Sequence, residues 1–334
     1  VYKRQVSALV QMVARLPTTS PSTMGYFYSA ALHRLVREET QVVDYDLAFV
    51  HCSSAAQYVR SASDIPSILD FGDMDSQKWL DYSSFKSQPL ALGYWLEGKK
   101  LERAEKQLAD RFDLCTCTTQ GELNSLNEMD AARETAWFPN GVDTEYFSPT
   151  DEPYDPNTIC FIGRMDYYPN QQGMLYFCSS VLPLIQSKRP DTTLKIVGAS
   201  PSKEIIDLGS LPGVEVTGTV DDVRPYVRQA AVSVAPLAIA RGTQNKILES
   251  MSMGVPVVSS MVAAGGVEET PEQHILVADN ADDFSRQVLG LLDNVEEREA
   301  LSLASRQRMK THHNWSASMT KLDEIVMSAL RGGA

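Results

Sequence analysis

Arg241-Gly-Thr-Gln-Asn-Lys-Ile-Leu-Glu249, continuing through Ser-Met-Ser-Met-Gly254 to Val255-Pro-Val-Val258, reads as a loop, a helix and the start of a buried strand. Thr243 is the expected N-cap, Ile247, Leu248 and Met251 form the apolar face, and Gly254 ends the helix. The preceding Ala231-Val-Ser-Val-Ala-Pro236 reads as another buried strand. The loop between them therefore lies at the carboxyl end of a parallel sheet, where open α/β folds bind ligands. Lys246 falls in the first helical turn, where the helix dipole disfavours a cation unless an anion is close. A phosphate at Gly242 and Thr243 would be such an anion. Glu249 shares the face of Lys246 and can accept hydrogen bonds from ribose hydroxyls. The alternative is a solvated Lys-Glu pair.

Outward from this unit the second half of the chain alternates regularly. Strands are expected near 158–162, 193–198, 214–217, 231–236, 256–260 and 275–277 with helices between them, which is a doubly wound parallel sheet. In the first half, Val6–Arg15 and Ser22–Glu39 have helical patterns, Asp46–His51 and Ser67–Phe71 read as buried strands, and Asp113–Thr118 reads as a further strand before a helix at Gln120. A helix over Leu96–Arg111 carries Glu97, Lys100, Glu102, Arg103, Glu105 and Lys106, a mixed-sign pattern expected of a solvated face. The Pro- and Asp-rich stretch Ser148–Asn157 is the expected domain boundary.

Composition sets limits. A chain of 334 residues with 43% hydrophobic content accommodates two domains, each with its own core. Net charge of -13 argues against nucleic-acid binding, which needs a basic surface. The mostly apolar run Ala230–Ala240 is far shorter than the roughly 20 residues of a membrane-spanning helix, and no signal or stop-transfer segment is visible, so a cytoplasmic or peripheral protein is expected. The five cysteines lack Cys-x-x-Cys spacing and read as reduced core thiols, and the adjacent His312 and His313 make a poor chelate.

Five segments in order resemble one known family. Trp137-Phe-Pro-Asn-Gly-Val-Asp143 with Tyr146-Phe-Ser-Pro149, Gly163-Arg164 after a strand, Lys246, Glu249 and Gly265-Gly-Val-Glu268 are similar to the signatures of the retaining glycosyltransferases of family 4, which have the GT-B fold. The family's Glu-x7-Glu motif is half kept, with Glu249 at its second position and Arg241 at its first. Arg164 matches the family's phosphate-binding Arg, and the Lys that usually follows is replaced within Tyr167-Tyr-Pro-Asn-Gln171. The phrases Asp70–Trp79 and Gly163–Asn170 also look like a bacterial subgroup of sugar transferases associated with exopolysaccharide loci and the exosortase system.

The resemblance implies two Rossmann-like domains facing a cleft: an acceptor-side domain over 1–149 and a nucleotide-sugar-binding domain over 150–334, with the last helix crossing back. It also implies transfer from a nucleotide diphosphate sugar to a glycan or lipid-linked acceptor, with retention and without a metal or cofactor. Gly163, Arg164, Gly242, Thr243, Lys246, Glu249, Gly265 and Gly266 would hold the donor. Arg164 and Lys246 would stabilise the departing diphosphate, and Asp73 and Asp75 would position acceptor or donor hydroxyls. A metal site at Asp73-Met-Asp75 is an alternative, and His51 reads either as a catalytic group or as a hydrogen-bonded structural histidine. A nucleotide-sugar epimerase of similar fold and a non-catalytic nucleotide-binding module remain alternatives for the whole chain. Val1-Tyr-Lys-Arg-Gln5 matches a translated transposon end and is expected not to be native; the amino-terminal domain is expected to lack the family's opening strand and glycine-rich loop.

Overall fold

The computed structural model describes residues 2–59, 65–267 and 273–332. They form two compact units, one running to Phe138 and taking in the residues from Thr320, the other spanning Pro139–Met319.

The first unit is built on four parallel strands, β1 (Ala48–His51), β2 (Ser67–Gly72), β3 (Leu114–Cys117) and β4 (Glu134–Trp137), paired in that order. Ile68 and Leu69 of β2 point to opposite faces, and both are fully buried. Leu69 joins Phe71, Met74, Phe112, Cys115 and Leu126 in one core cluster, whereas Ile68 packs with Leu114, Phe138, Ile325 and Ala329. The last two belong to the helix Trp315–Gly332, which starts in the second unit and contributes its residues from Thr320 to the first.

Three expectations are corrected here. The segment β1 is an edge strand rather than a buried one: of its residues only Val50 is buried, and Phe49 is 42% exposed. The pattern over 22–39 is split into helices Ser22–Tyr26 and Ala30–Val42, because Ser29 takes an extended conformation and its hydroxyl accepts from the Leu32 amide. Tyr58 bridges the break, with its hydroxyl accepting from Ser29 N and donating to Phe27 O. The helix Leu90–Ala109 does not leave all its charges in water, since Glu97 and Glu105 are buried. Each accepts from backbone elsewhere, Glu97 from Thr23 N and Glu105 from Ser76 N.

The second unit holds β5 (Asp155–Ile162), β6 (Thr193–Val197), β7 (Val214–Gly218), β8 (Ala230–Ala235), β9 (Val257–Ser259) and β10 (Leu276–Val277). All pairings are parallel and the order is β10-β9-β8-β5-β6-β7, a doubly wound sheet whose order reverses between β5 and β8. Alternation along β5 shows both faces covered: Ile159 and Phe161 enter one core cluster, Cys160 and Ile162 another. The larger cluster includes Phe177 edge-on to Phe284, with ring centroids 5.8 Å apart.

The unit begins well before the composition shift at 148–157, for a reason visible in its hydrogen bonds. Three arginines grip successive carbonyls of the connecting segment: Arg306 takes Thr144 O and Phe147 O, Arg224 takes Tyr146 O, and Arg228 takes Ser148 O. All five cysteines are free, and burial pushes the Cys115 and Cys160 thiols up to about 12, which leaves them inert at neutral pH. Among the described residues no helix is long and apolar enough to cross a membrane.

Replacing Leu69, which is 0% exposed at the centre of the first unit, by Ala should cost about 2–5 kcal/mol. Urea unfolding followed by circular dichroism reads this, and an unshifted midpoint would show that β2 is not the core strand.

Candidate functional site

The strand order reverses between β5 and β8, where open α/β sheets bind ligands at the carboxyl ends of the strands, and the chain places glycines there. Gly163 follows β5 and donates its N–H to Val197 O at 3.0 Å. Gly198 follows β6 with φ +151°, and a Cβ there would lie 1.7 Å from Gly163 O. The two strand ends thus meet backbone against backbone, which only glycine permits at Gly198. A Cβ on Gly163 would lie 2.7 Å from Asn170 Nδ2, so this bare backbone is what lets the Asn170 amide lie against the strand end.

Lys246 occupies the first turn of the helix Asn245–Ser252. The helix is fixed to β8 by Ser250 Oγ, 2.9 Å from Ser233 Oγ, and it ends at Gly254 with φ +73°. Its ammonium donates to Asn170 Oδ1 and stands 4.7 Å from the centroid of the Phe161 ring. Asn170 Nδ2 in turn donates to Arg164 O at 2.8 Å, so one buried amide ties the Gly163-Arg164 turn to the helix. Burial lowers the Lys246 pKa to about 7, against the opposing effect of the Glu249 carboxylate. Burial likewise pushes Glu249 up to about 7, against the pull of Lys246. Both groups are half-buried and share one helix face, as their spacing predicts.

Thr243 is not the N-cap. Gln244 holds that position without a side-chain cap, and Thr243 Oγ1 is buried with no hydrogen-bond partner among the described residues. The helix start therefore keeps amides that no side chain of its own caps. Gly242, with φ +61°, turns the loop, and Gln244 Nε2 donates to the carbonyls of Arg241 and Gly242. Gly266 packs on this turn: a Cβ on it would sit 2.2 Å from Gly242 O. Gly265 has no such constraint, its nearest neighbour being Met261 O at 3.5 Å. Glu268 of the same sequence motif lies outside the described residues. Arg164 is mostly exposed and pairs in a fork with Asp166, Nε to Oδ1 at 3.1 Å and Nη2 to Oδ2 at 2.6 Å. The pair raises the Arg164 pKa and lowers that of Asp166, and an incoming anion must compete with that carboxylate.

In the first unit, Gly72 ends β2 with φ +68°, and Asp73 and Asp75 follow. Asp73 Oδ1 accepts from Thr118 Oγ1 at 3.1 Å; burial raises its pKa against that bond. Asp75 opens the helix Asp75–Ser84 and accepts from Ser53 Oγ at 3.3 Å. His51 Nδ1 is 2.7 Å from Asp70 Oδ2, and Asp70 also accepts from Thr116 Oγ1 and Gly72 N. Among the described residues no three His, Cys, Asp or Glu side chains are grouped to hold a metal ion.

The structure brings Gly163, the Arg164 backbone and Lys246 together around Asn170, with Glu249 acting on Lys246 from the same helix, and Gly242 together with Gly266. Asn170 and Gly198 are the two members that sequence reasoning did not single out. The stretch Gly163–Asn170 carried the signal for the first, in a polar Asn just behind Pro169 at a helix start. Gly266→Ala should destabilise the second unit by about 1–3 kcal/mol through its clash with the Gly242 carbonyl, and Gly265→Ala by far less. Thermal unfolding of the two variants checks this, and equal melting temperatures would contradict the packing.

Comparison with known proteins adds to this geometry. Residues 156–294 match the family model described as Glycosyl transferases group 1. A GDP-mannose-dependent monoacylated alpha-(1-6)-phosphatidylinositol monomannoside mannosyltransferase of Corynebacterium glutamicum is 23% identical over 255 residues, covering 68% of this chain and 65% of that protein. An uncharacterized 44.6 kDa protein in the cps region of Klebsiella pneumoniae is 19% identical over 181 residues, 51% of this chain and 46% of that one. The matches thus span less than two thirds of either curated relative. Among solved structures, sucrose-phosphate synthase of Thermosynechococcus elongatus superposes with TM-score 0.71 at 16% identity, over 90% of this chain and 77% of that one. HepE of Anabaena in complex with UDP superposes with TM-score 0.71 at 13% identity, over 93% of this chain and 85% of that one. The fold is therefore the α/β architecture of the GT-B glycosyltransferases, and the similarity to the glycosyl transferases group 1 family lies in residues 156–294.

Proposed function

We propose that the chain transfers a hexose from a nucleotide diphosphate sugar to a glycan or lipid-linked acceptor, with retention of anomeric configuration and without a metal or cofactor. The observation that carries this reading is Lys246: a half-buried cation in the first turn of an uncapped helix, at the point where the strand order reverses. A diphosphate there supplies the charge that the ammonium and the helix amides lack. Glu249, on the same face, takes the ribose hydroxyls.

As the glycosidic bond breaks, negative charge grows on the leaving phosphate oxygens and positive character on the sugar carbon. Lys246, Arg164 and the amides about Gly242 and Thr243 stabilise that developing anion, and they are already in place before the reaction starts. Gly163, Gly265 and Gly266 let backbone approach the donor. The leaving phosphate takes the acceptor proton, so no separate protein base is required. Asp73 and Asp75 of the first unit orient acceptor hydroxyls. The second unit is then the donor domain and the first the acceptor domain.

The relatives support the substrate class. The Corynebacterium protein is named for a GDP-mannose donor and a lipid acceptor, and the Anabaena structure holds UDP. The cps-region relative and the resemblance to exopolysaccharide-locus transferases favour a bacterial role in exopolysaccharide biosynthesis, in the cytoplasm or peripherally at the inner membrane face.

Lys246→Ala and Glu249→Ala should each weaken UDP or GDP binding by ~1–3 kcal/mol in titration calorimetry. Unchanged affinity for both nucleotides in both variants would remove the site. Turnover separates the rival activities, since an epimerase alters the sugar without an acceptor and a binding module releases no product.

A further inference from the structure

The turn that carries Asp73 and Asp75 is held in an unusual way. Met74 stands at the N-cap of the helix Asp75–Ser84 and has no side chain able to cap it. The amides of a helix start need acceptors, which a local Ser, Thr, Asn or Asp ordinarily supplies. Here they come from two distant helices. Glu122 Oε2, on the helix Gln120–Glu128, accepts from Met74 N at 2.7 Å, and Glu105 Oε1, on the helix Leu90–Ala109, accepts from Ser76 N at 3.0 Å.

The placement of these two bonds is selective. The N–H of Met74 belongs to the peptide group that follows Asp73, and the N–H of Ser76 to the one that follows Asp75. Each carboxylate therefore fixes the backbone immediately beyond one aspartate. The aspartate side chains are held separately, Asp73 by Thr118 and Asp75 by Ser53.

Stability alone is a poor reason for this arrangement. Glu105 is 0% exposed and Glu122 2% exposed, and burying carboxylates is costly even when each is hydrogen-bonded. Burial, opposed by hydrogen bonding to Ser76 and reinforced by the negative charges of Asp75 and Glu122, raises the Glu105 pKa to about 7. Its second oxygen, Oε2, is buried with no hydrogen-bond partner among the described residues. A single threonine at the N-cap would satisfy the helix start without these costs. Two carboxylates on separate helices instead fix the turn at two points, and this geometry a local cap cannot give.

We propose that Glu105 and Glu122 are positioning residues for Asp73 and Asp75, setting through the Ser76 and Met74 amides where the two aspartates are presented to the acceptor. The inference rests on the reading of those aspartates as acceptor-orienting groups, and it assigns the glutamates no contact with substrate.

The test compares Glu105→Ala, Glu105→Gln, Glu122→Ala, Glu122→Asp, Asp73→Asn and Asp75→Asn in the full chain. Amide hydrogen exchange over residues 73–77 reads the backbone. Calorimetry with UDP reads the donor site, and transfer from UDP-glucose to synthetic polyprenyl diphosphate N-acetylglucosamine reads the acceptor side. Glu105→Ala should speed exchange at Ser76, and Glu122→Ala at Met74, by about tenfold or more. Acceptor kcat/KM should fall by a similar factor while UDP affinity stays within about twofold. Glu105→Gln keeps an acceptor oxygen and should rescue both readouts. Glu122→Asp keeps the charge but shortens the reach, so it should reproduce the Ala defect even if Glu122→Ala fails to fold. Unchanged exchange, or unchanged acceptor kinetics in folded glutamate variants while the aspartate variants are impaired, would overturn the proposal. Silent aspartate variants beside altered exchange would instead overturn the acceptor reading on which it rests. Wild-type protein that transfers nothing to this probe counts against the proposed acceptor class, and exchange then decides alone whether the glutamates hold the turn.

Discussion

Lys246 is a cation that the second unit half-buries, and its described partners are the amide oxygen of Asn170 and the face of Phe161. Neither carries a full negative charge. The nearby Glu249 is itself pushed toward its neutral form by burial, so among the described residues the helix start and the ammonium have no firm counterion. That imbalance gives the site its chemistry. An anion entering at the strand-order reversal recovers electrostatic energy that the fold has left unspent, and it does so near the uncapped amides that precede the helix Asn245–Ser252.

The surrounding architecture keeps this imbalance in place. Gly163 leaves room for Asn170, Gly198 lets the ends of β5 and β6 close on each other, and Gly266 does the same for the turn at Gly242. Ser233 and Ser250 fasten the helix to β8, while Arg224, Arg228 and Arg306 fasten the segment that enters the unit. In the first unit the logic is different in kind but similar in means. There, buried carboxylates rather than bare glycines position the backbone, and the two glutamates that do so come from helices remote in sequence.

Much of the second unit is legible in the sequence because its signals are local. Alternation such as Ile159-Cys-Phe-Ile162, the Gly that follows β5, and Gly254 at the end of the helix each specify conformation within a few residues, and the six strands fall where they are expected. Lys246 and Glu249 are legible as a pair for the same reason, through helical spacing. What sequence reading misses depends on partners distant along the chain. Glu97 and Glu105 look like solvated charges because nothing within their own helix reveals the Thr23 and Ser76 amides they serve. Asn170 is an unremarkable polar residue until Lys246, 76 residues on, is folded against it. Thr243 has the composition of a cap, yet the turn at Gly242 moves the helix start on by one residue.

The central claim is that Lys246 is a half-buried cation whose charged form an anion favours, and its own titration tests this most directly. With lysine side chains labelled for heteronuclear NMR, and Lys246→Arg used to assign the signal, the account predicts a pKa near 7 in the free protein. Saturating UDP should raise that value by about 1 unit or more, because a diphosphate favours the charged form. A free-state pKa at the ordinary lysine value, or one that UDP leaves unmoved, would contradict the account.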